Sequence, residues 1–264
     1  VYSIHRYLYS NPEPYVEFLM WGVDTKMTCT DEYFPANSLP GDIIIFASRH
    51  RSQSARPALL CHTPGNWGDD VSVGGKPNRI AKGSGLLLYY FYIHLTKFVQ
   101  TRGFEFPVDQ EVTHHGPTEL HQPLGFIELG SSEPEWHNQE GGAIVADALI
   151  QTGKDLGLHH FIPDKGWDKK HIKICVGFGG THYMPNFTRL IPLGYSFAHV
   201  VPKYNIQTIS ADTIKMIQNR VLEPIDAWVV DWKGLNSAEK AHLIPLLEVT
   251  NIPIKKTKEL ELKL

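Results

Sequence analysis

The 264-residue sequence predicts an α/β fold: a central mixed, largely parallel sheet flanked by helices, in a single domain. Three observations point there. Short apolar runs alternate with longer helical stretches, an order that puts helices on both faces of a sheet. "DIIIFA" (Asp42–Ala47) is apolar on both faces of its pleat, as a strand covered from both sides must be. Hydrophobic residues at 42% and charged residues at 20% describe an ordinary globular chain, long enough for an ample core.

Taken in order, "VEFLMW" (Val16–Trp21), "DIIIFA" and "PALLCH" (Pro57–His62) read as strands. A Gly-rich polar stretch, Thr63–Gly85, follows, and a loop of that length is functional or disordered. "GLLLYYFYIHLTKFV" is a buried helix from Leu86 to about Gln100; with His94 and Lys97 inside it, it is too short and too polar to span a bilayer. Strands are expected at Gln110–His114 and Gly125–Leu129, then a helix at about Glu140–Gly153. Strands at Ile172–Phe178, Ser196–Val201 and Ala227–Asp231 alternate with helices at about Ala211–Val221 and Ser237–Thr250. There is no internal repeat, low-complexity segment or interdomain linker.

The net charge of −3 gives no global basic field, so a nucleic-acid partner requires a local patch. Such a patch exists. Between Arg49 and Gly85 six basic residues face two acidic ones, a local net of +4. Arg49, Arg51 and Lys76 are its candidate phosphate contacts, with Asn66 and Trp67 available to hydrogen-bond or stack on a base or ribose. Cys29, Cys61 and Cys175 are odd in number and form no CxxC pair, which argues for a reducing cytoplasm and against a thiolate zinc knuckle.

Open sheets bind ligands in loops at the carboxyl ends of strands. Here His50, His62, the pair His114-His115 and the run Gly179-Gly180-Thr181-His182 each follow a strand. Adjacent residues on a strand point to opposite faces, so His114 and His115 are not expected to share one ligand by pleat geometry alone. Glu128 lies inside an apolar run, where burial raises a carboxyl pKa unless a cation offsets it. The double glycine lets backbone N–H groups approach an anion or a developing oxyanion. No Walker loop, HExxH helix or GxSxG elbow is present. The bland alternative for each residue is structural: loop histidines, a solvated carboxylate, plain turns. His159-His160, His5, His94, His137 and His242 are read as structural, and His199 as an inward-facing strand residue.

The stretches "DIIIFASRHRSQSARPALLCHTPGNWG", "EVTHHGPTELHQPLGFIELGSSEPEW", "VGFGGTHYMPNFT", "FAHVVPKY" and "VDWKG" stand in the order found in archaeal and plant D-aminoacyl-tRNA deacylases, which the chain resembles from about Asp42 to Gly234. The resemblance implies a phosphorylase/peptidyl-tRNA-hydrolase-like architecture. It implies hydrolysis of the ester between a D-amino acid and the terminal ribose of tRNA. It also implies zinc, as one ion or two; His50, His62, His114, His115, Glu128 and His182, by their positions at strand ends, are its candidate ligands. Manganese, iron or nickel, and a metal-free site using one histidine as general base, are the alternatives. His114, His115, Glu128 and His182 would carry the catalysis, Gly179, Gly180 and Thr181 the oxyanion, and Lys203 and Lys233 further phosphates. A glycine-rich site would reject L-substrates through main chain that cannot move. The partner expected is tRNA carrying a D-amino acid, met by a cytoplasmic monomer, with no membrane. Two departures stand out. The family tends to read Gly-Gly-Gly-His-Tyr where this chain has Thr181 as third residue. Residues 1–41, beginning at Val1, match poorly, so the usual first strand–helix unit is expected to be shortened or missing. A zinc peptidase or amidohydrolase acting on a small substrate, and a non-catalytic tRNA-binding module, remain alternatives.

Overall fold

The computed structural model describes residues 3–9, 16–32, 34, 39–157, 161–162 and 166–261; His159 and His160 lie outside them. Two N-terminal strands, β1 (Ser3–Tyr9) and β2 (Val16–Gly22), form an antiparallel pair. The chain continues through β3 (Ile44–Arg51), β4 (Ala58–His62), the two-residue strands β5 (Gly65–Asn66) and β6 (Arg79–Ile80), and α1 (Gly85–Arg102). Next come β7 (Val108–Gln110), β8 (Leu124–Ser131), the short α2 (Glu133–Trp136) and α3 (Gln139–Asp155). A small pair, β9 (Phe161–Ile162) and β10 (Gly166–Trp167), precedes β11 (Lys173–Phe178), α4 (Pro185–Thr188), β12 (Tyr195–Val201) and α5 (Ala211–Arg220). The described chain ends with β13 (Ala227–Val230), α6 (Ser237–Glu248), β14 (Ile254–Lys256) and α7 (Thr257–Glu261).

Two four-stranded sheets form the centre, in the orders β3-β8-β4-β7 and β12-β11-β13-β14. Five of their six pairings are parallel; only β4 runs against β8. Every residue of β4 and of β8 is buried, which is why both read as apolar runs rather than as alternating ones. Helix α1 lies across both sheets, with Leu86, Leu87, Phe91 and Leu95 inaccessible to solvent. Its N-terminus is capped twice. The Ser84 hydroxyl accepts from Leu87 N–H, and the Glu223 carboxylate accepts from the amides of Gly85 and Leu86. A cap of this kind contributes about 1 kcal/mol. No helix among the described residues is long and apolar enough to cross a membrane. The three cysteines are free.

The strand expected at Gln110–His114 stops at Gln110, because the next residues leave β4 to join the other sheet. Glu111 N–H still donates to Cys61 O on the first sheet, at 3.1 Å. Val112 N–H then donates to His182 O, in the loop after β11, and Thr113 N–H to Val200 O on the second sheet. Gly65 N–H returns to His114 O at 3.1 Å. These four bonds stitch the sheets together along one short segment.

The long loop is folded, not disordered. Asn66 Nδ2 donates to Gly74 O (2.9 Å) and Lys76 O (3.2 Å), and Asn78 Nδ2 donates to Asp69 (2.6 Å). Its tip is pressed onto Gly116, where any Cβ would collide with Thr28 O and the Gly75 amide. Only glycine fits that approach.

Candidate active site

Side chains alternate faces along a strand, so Phe46, Ser48 and His50 share one face of β3, and Phe126 and Glu128 share one face of β8. Near the start of these strands that face is apolar, with Phe46 stacked on Phe126 at 4.7 Å. Toward their ends it turns polar. Ser48 Oγ donates to Glu128 Oε1 at 2.7 Å, and His50 Nδ1 lies 3.2 Å from Glu128 Oε2. Glu128 is therefore partnered by a serine and an imidazole within an otherwise apolar strand. Burial pulls the His50 pKa down, but the hydrogen bond to Glu128 and the charges of Glu111 and Glu128 outweigh it and leave it raised. The Tyr183 hydroxyl stands 3.3 Å from the other nitrogen of His50.

His62 enters from the antiparallel strand β4, so it sits beside Phe126, midway along β8, rather than at a common carboxyl edge. Its ring lies flat on Phe126 (centroids 5.1 Å, interplanar 6°) and is completely buried, with neither nitrogen hydrogen-bonded. Burial, then the neighbouring imidazoles, hold its pKa well below the ordinary histidine value.

The pleat rule fails for His114 and His115. His115 has φ 45°, in the left-handed region, which reverses the alternation and brings both rings onto His62, at 4.2 and 4.8 Å. For a non-glycine residue such a conformation costs on the order of 1 kcal/mol and persists where the surroundings dictate it. Each of the two rings donates from Nδ1 to a main-chain carbonyl, His114 to Val112 O (2.8 Å) and His115 to Gly116 O (2.7 Å). That choice of tautomer leaves each Nε2 with its lone pair free. Burial lowers the pKa of both, so neutral imidazole is favoured.

Glu111, which sequence reasoning passed over, completes the cluster. Its carboxylate is buried, with Oε1 2.7 Å from His182 Nε2 and Oε2 3.5 Å from His50 Nδ1. Burial, the largest influence, raises its pKa. Its spacing three residues before His114 was the available signal. Tyr183 was likewise missed, although it follows His182 directly.

Three groups of ligand atoms lie within 4.8 Å of one another: His62–His114–His115, Glu111–His114–His182 and His50–Glu111–Glu128. His50, His114, His115, Glu128 and His182 line a cavity of about 750 Å³, which His62 and Glu111 do not reach. Arg49 and Arg51 stand in its wall and are exposed; the Arg49 guanidinium lies 4.9 Å above the Trp136 ring.

Other expected residues fall elsewhere. Trp67 lines the cavity but is only 5% exposed, and its indole N–H donates to Thr113 O at 2.9 Å, so little of its ring is left for stacking. Asn66 spends its amide donors on the loop backbone. Lys76, Lys203 and Lys233 are exposed but outside the cavity wall, Lys203 lying 3.9 Å from Glu239. The Gly179 amide donates to Val201 O and is not free for an oxyanion. Gly179 and Gly180, at φ 111° and 84°, abut Asp231 and Phe187 instead of the cavity. Their positive φ accounts for them as a turn. Thr181 Oγ1 donates to Tyr183 O. The glycines in the cavity wall are Gly65 and Gly68. His199 is buried with partners at both nitrogens, Thr113 Oγ1 (3.2 Å) and Arg220 O (3.4 Å). His94, His137 and His242 also have partners: Asp155, Glu133 and Ile209 O.

Residues 38–255 match the family model described as D-aminoacyl-tRNA deacylase. The D-aminoacyl-tRNA deacylase of Methanocaldococcus jannaschii is 36% identical over 217 residues, 80% of each chain. That of Pyrococcus horikoshii is 40% identical over 194 residues, 73% of this chain and 66% of its own. A crystal structure of a conserved protein of unknown function superposes with a TM-score of 0.79 at 27% identity, covering 98% of this chain and 89% of that one.

Proposed function

The chain belongs to the D-aminoacyl-tRNA deacylase family, and from that premise we propose that it hydrolyses the ester joining a D-amino acid to the terminal ribose of tRNA. The products are free tRNA and the D-amino acid, and cytoplasmic tRNA mischarged with D-residues is the substrate pool. The observation that carries the proposal is a cavity walled by two exposed arginines over a floor of imidazoles and the buried Glu128 carboxylate. Ester hydrolysis needs a base for water, charge stabilisation for the tetrahedral oxyanion, and an acid for the departing ribose oxygen.

His182 is the base of this reading. Glu111 accepts its Nε2–H and thereby leaves Nδ1 as the acceptor for a water proton. His50, whose pKa Glu128 and Glu111 raise against its burial, returns a proton to the ribose oxygen. Arg49 and Arg51 hold phosphates at the tRNA end. Every one of these groups comes from a single chain, so a monomer suffices.

Zinc is part of the proposal. The residues fit it: His62 is wholly buried with neither nitrogen hydrogen-bonded, its nearest carboxylate being Glu128 at 3.9 Å. One ligand nitrogen from each of His62, His114 and His115 lies within 4.8 Å of the others. Unpaired buried nitrogens cost free energy that a ligand would offset. His62, His114 and His115 would hold the ion, and the donor set of imidazoles without thiolate suits zinc. When bound, zinc supplies a Lewis acid for the ester carbonyl.

One assay tests the reading. The protein is incubated with D-aminoacyl-tRNA and its L counterpart, each with and without a chelator. Release of the D-amino acid alone is expected, lost on chelation and restored by zinc. Equal hydrolysis of the L-ester would sink the proposal; full activity in metal-free protein would remove only its zinc.

A further inference from the structure

Trp67, the aromatic residue that the sequence suggested for a tRNA base, lines the cavity but is only 5% exposed, and the cavity has a far more exposed ring of another origin. Tyr204 lines its wall and is 65% exposed. Every other aromatic residue whose burial is described is at least partly covered. Val73, 52% exposed, lines the same cavity, so two of the large apolar side chains left in solvent meet at one opening. Exposed apolar groups gathered at a cleft mark a binding surface.

The ring is held rigidly. Tyr204 sits in a 3-10 turn, Lys203–Thr208, that starts from Pro202 and is pinned by the fully buried Ile206. Lys203 N–H donates to Gly180 O (3.0 Å) and Asn205 N–H to Pro202 O (3.0 Å). The neighbouring Asn205 also lines the cavity, and among the described residues no hydrogen bond engages its side-chain amide. A planar hydrophobic face beside a free amide matches a purine: the ring stacks on the base, and the amide pairs with the donor–acceptor edge that adenine presents.

We infer that Tyr204 is the stacking platform for the terminal adenine of the tRNA substrate and that Asn205 reads its edge. The inference rests on the deacylase reading and adds a positioning role to it. With the base fixed on Tyr204 at the rim, the esterified ribose is directed down to His182 and His50 on the floor.

The test uses the full chain, its Tyr204→Ala, Tyr204→Phe and Asn205→Ala variants, and three probes: two mononucleotides and a sugar phosphate. Binding of adenosine monophosphate, measured by calorimetry, should weaken roughly tenfold in Tyr204→Ala, the order expected for one lost base stack, and survive in Tyr204→Phe. Ribose 5-phosphate, which lacks a base, should bind all four proteins alike. Asn205→Ala should lose the preference for adenosine over uridine monophosphate. With D-aminoacyl-tRNA, Tyr204→Ala should raise KM by a similar factor, with the effect on kcat smaller. Equal adenosine monophosphate binding in wild type and Tyr204→Ala overturns the inference, as does a Phe variant as weak as Ala. Wild-type protein that binds the mononucleotide yet leaves D-aminoacyl-tRNA intact overturns the deacylase reading instead.

Discussion

Buried polar groups are treated in opposite ways on the two sides of the molecule. Around the second sheet each has its own partners: His199 bonds Thr113 and Arg220, Glu223 takes two helix amides, and Asp231 accepts from Asn186 and Gly234. In the cluster beside the first sheet partners are shared or missing. Glu111 and Glu128 both lean on His50, and His62 bonds nothing. A buried polar atom without a partner costs about 1–3 kcal/mol. The fold therefore closes its ledger of hydrogen bonds on one side and leaves it open on the other, where substrate or metal completes it. Burial alone does not separate a functional histidine from a structural one: His94 and His199 are as buried as His50, and what marks the cluster is several imidazoles and carboxylates sharing too few partners in one place.

His182→Ala should show the contrast most strongly. Removing a general base lowers kcat/KM for D-aminoacyl-tRNA by about 10²–10⁴-fold. The His182 side chain is 43% exposed but pairs the buried Glu111, so stability should fall by no more than about 1–3 kcal/mol, the cost of one orphaned carboxylate oxygen. A large loss of stability with modest loss of turnover would move His182 to the structural side.

His199 should behave in the reverse manner. Burial depresses its pKa from 6.5 to about 4. Between those values the unfolded chain carries the proton and the folded chain does not. The His199 contribution is thus complete above pH 6.5 and lost progressively as pH falls toward 4, by about 3 kcal/mol. In His199→Gln, urea midpoints at pH 7 and 4.5 should differ less than in wild type, while D-aminoacyl-tRNA hydrolysis at pH 7 persists. An unchanged gap between the midpoints assigns the acid sensitivity elsewhere.

Smaller effects sharpen the boundary. Arg49→Glu or Arg51→Glu should weaken tRNA binding and lower the slope of log affinity against log salt by about 0.9 or more. The same reversal at Lys76, outside the cavity wall, should change both less. Trp67→Phe removes one indole bond to Thr113 O and should cost about 1 kcal/mol in denaturant titrations, leaving tRNA affinity untouched. A selective loss of tRNA binding in Trp67→Phe would return that residue to the interface.

Much of this layout was legible in the chain. Strand and helix positions in the central sheets agree to within a few residues because the apolar runs are strongly patterned, as in the buried "FIEL". "DIIIFA", expected to be covered on both faces, is instead an edge strand in which only Phe46 is buried and Ala47 is exposed. Six histidine and glutamate candidates converge because each stands on or beside a sheet strand. What stayed hidden depends on long-range partners. The pairing of Glu111 with His182 spans two sheets, and no local pattern announces it. The left-handed turn at His115 overrides the alternation on which the pleat argument rests. Trp67, in a Gly-rich polar stretch, gave no sign of burial, because the groups that cover it come from Thr113 and the neighbourhood of His199. Tyr204 carries no helical or strand periodicity at all.

The segment Glu111–Thr113, bonded to strands on both sheets, bears on how the protein comes to life on the ribosome. The residues of the cavity floor up to Glu128 are synthesised early. Ser48, His50 and Glu128 can pair as soon as β3 and β8 exist, but the Glu111–Thr113 segment gains its second set of partners only from His182 and Val200. A nascent chain that ends before His182 also lacks the proposed base, so it is expected to be inert toward charged tRNA.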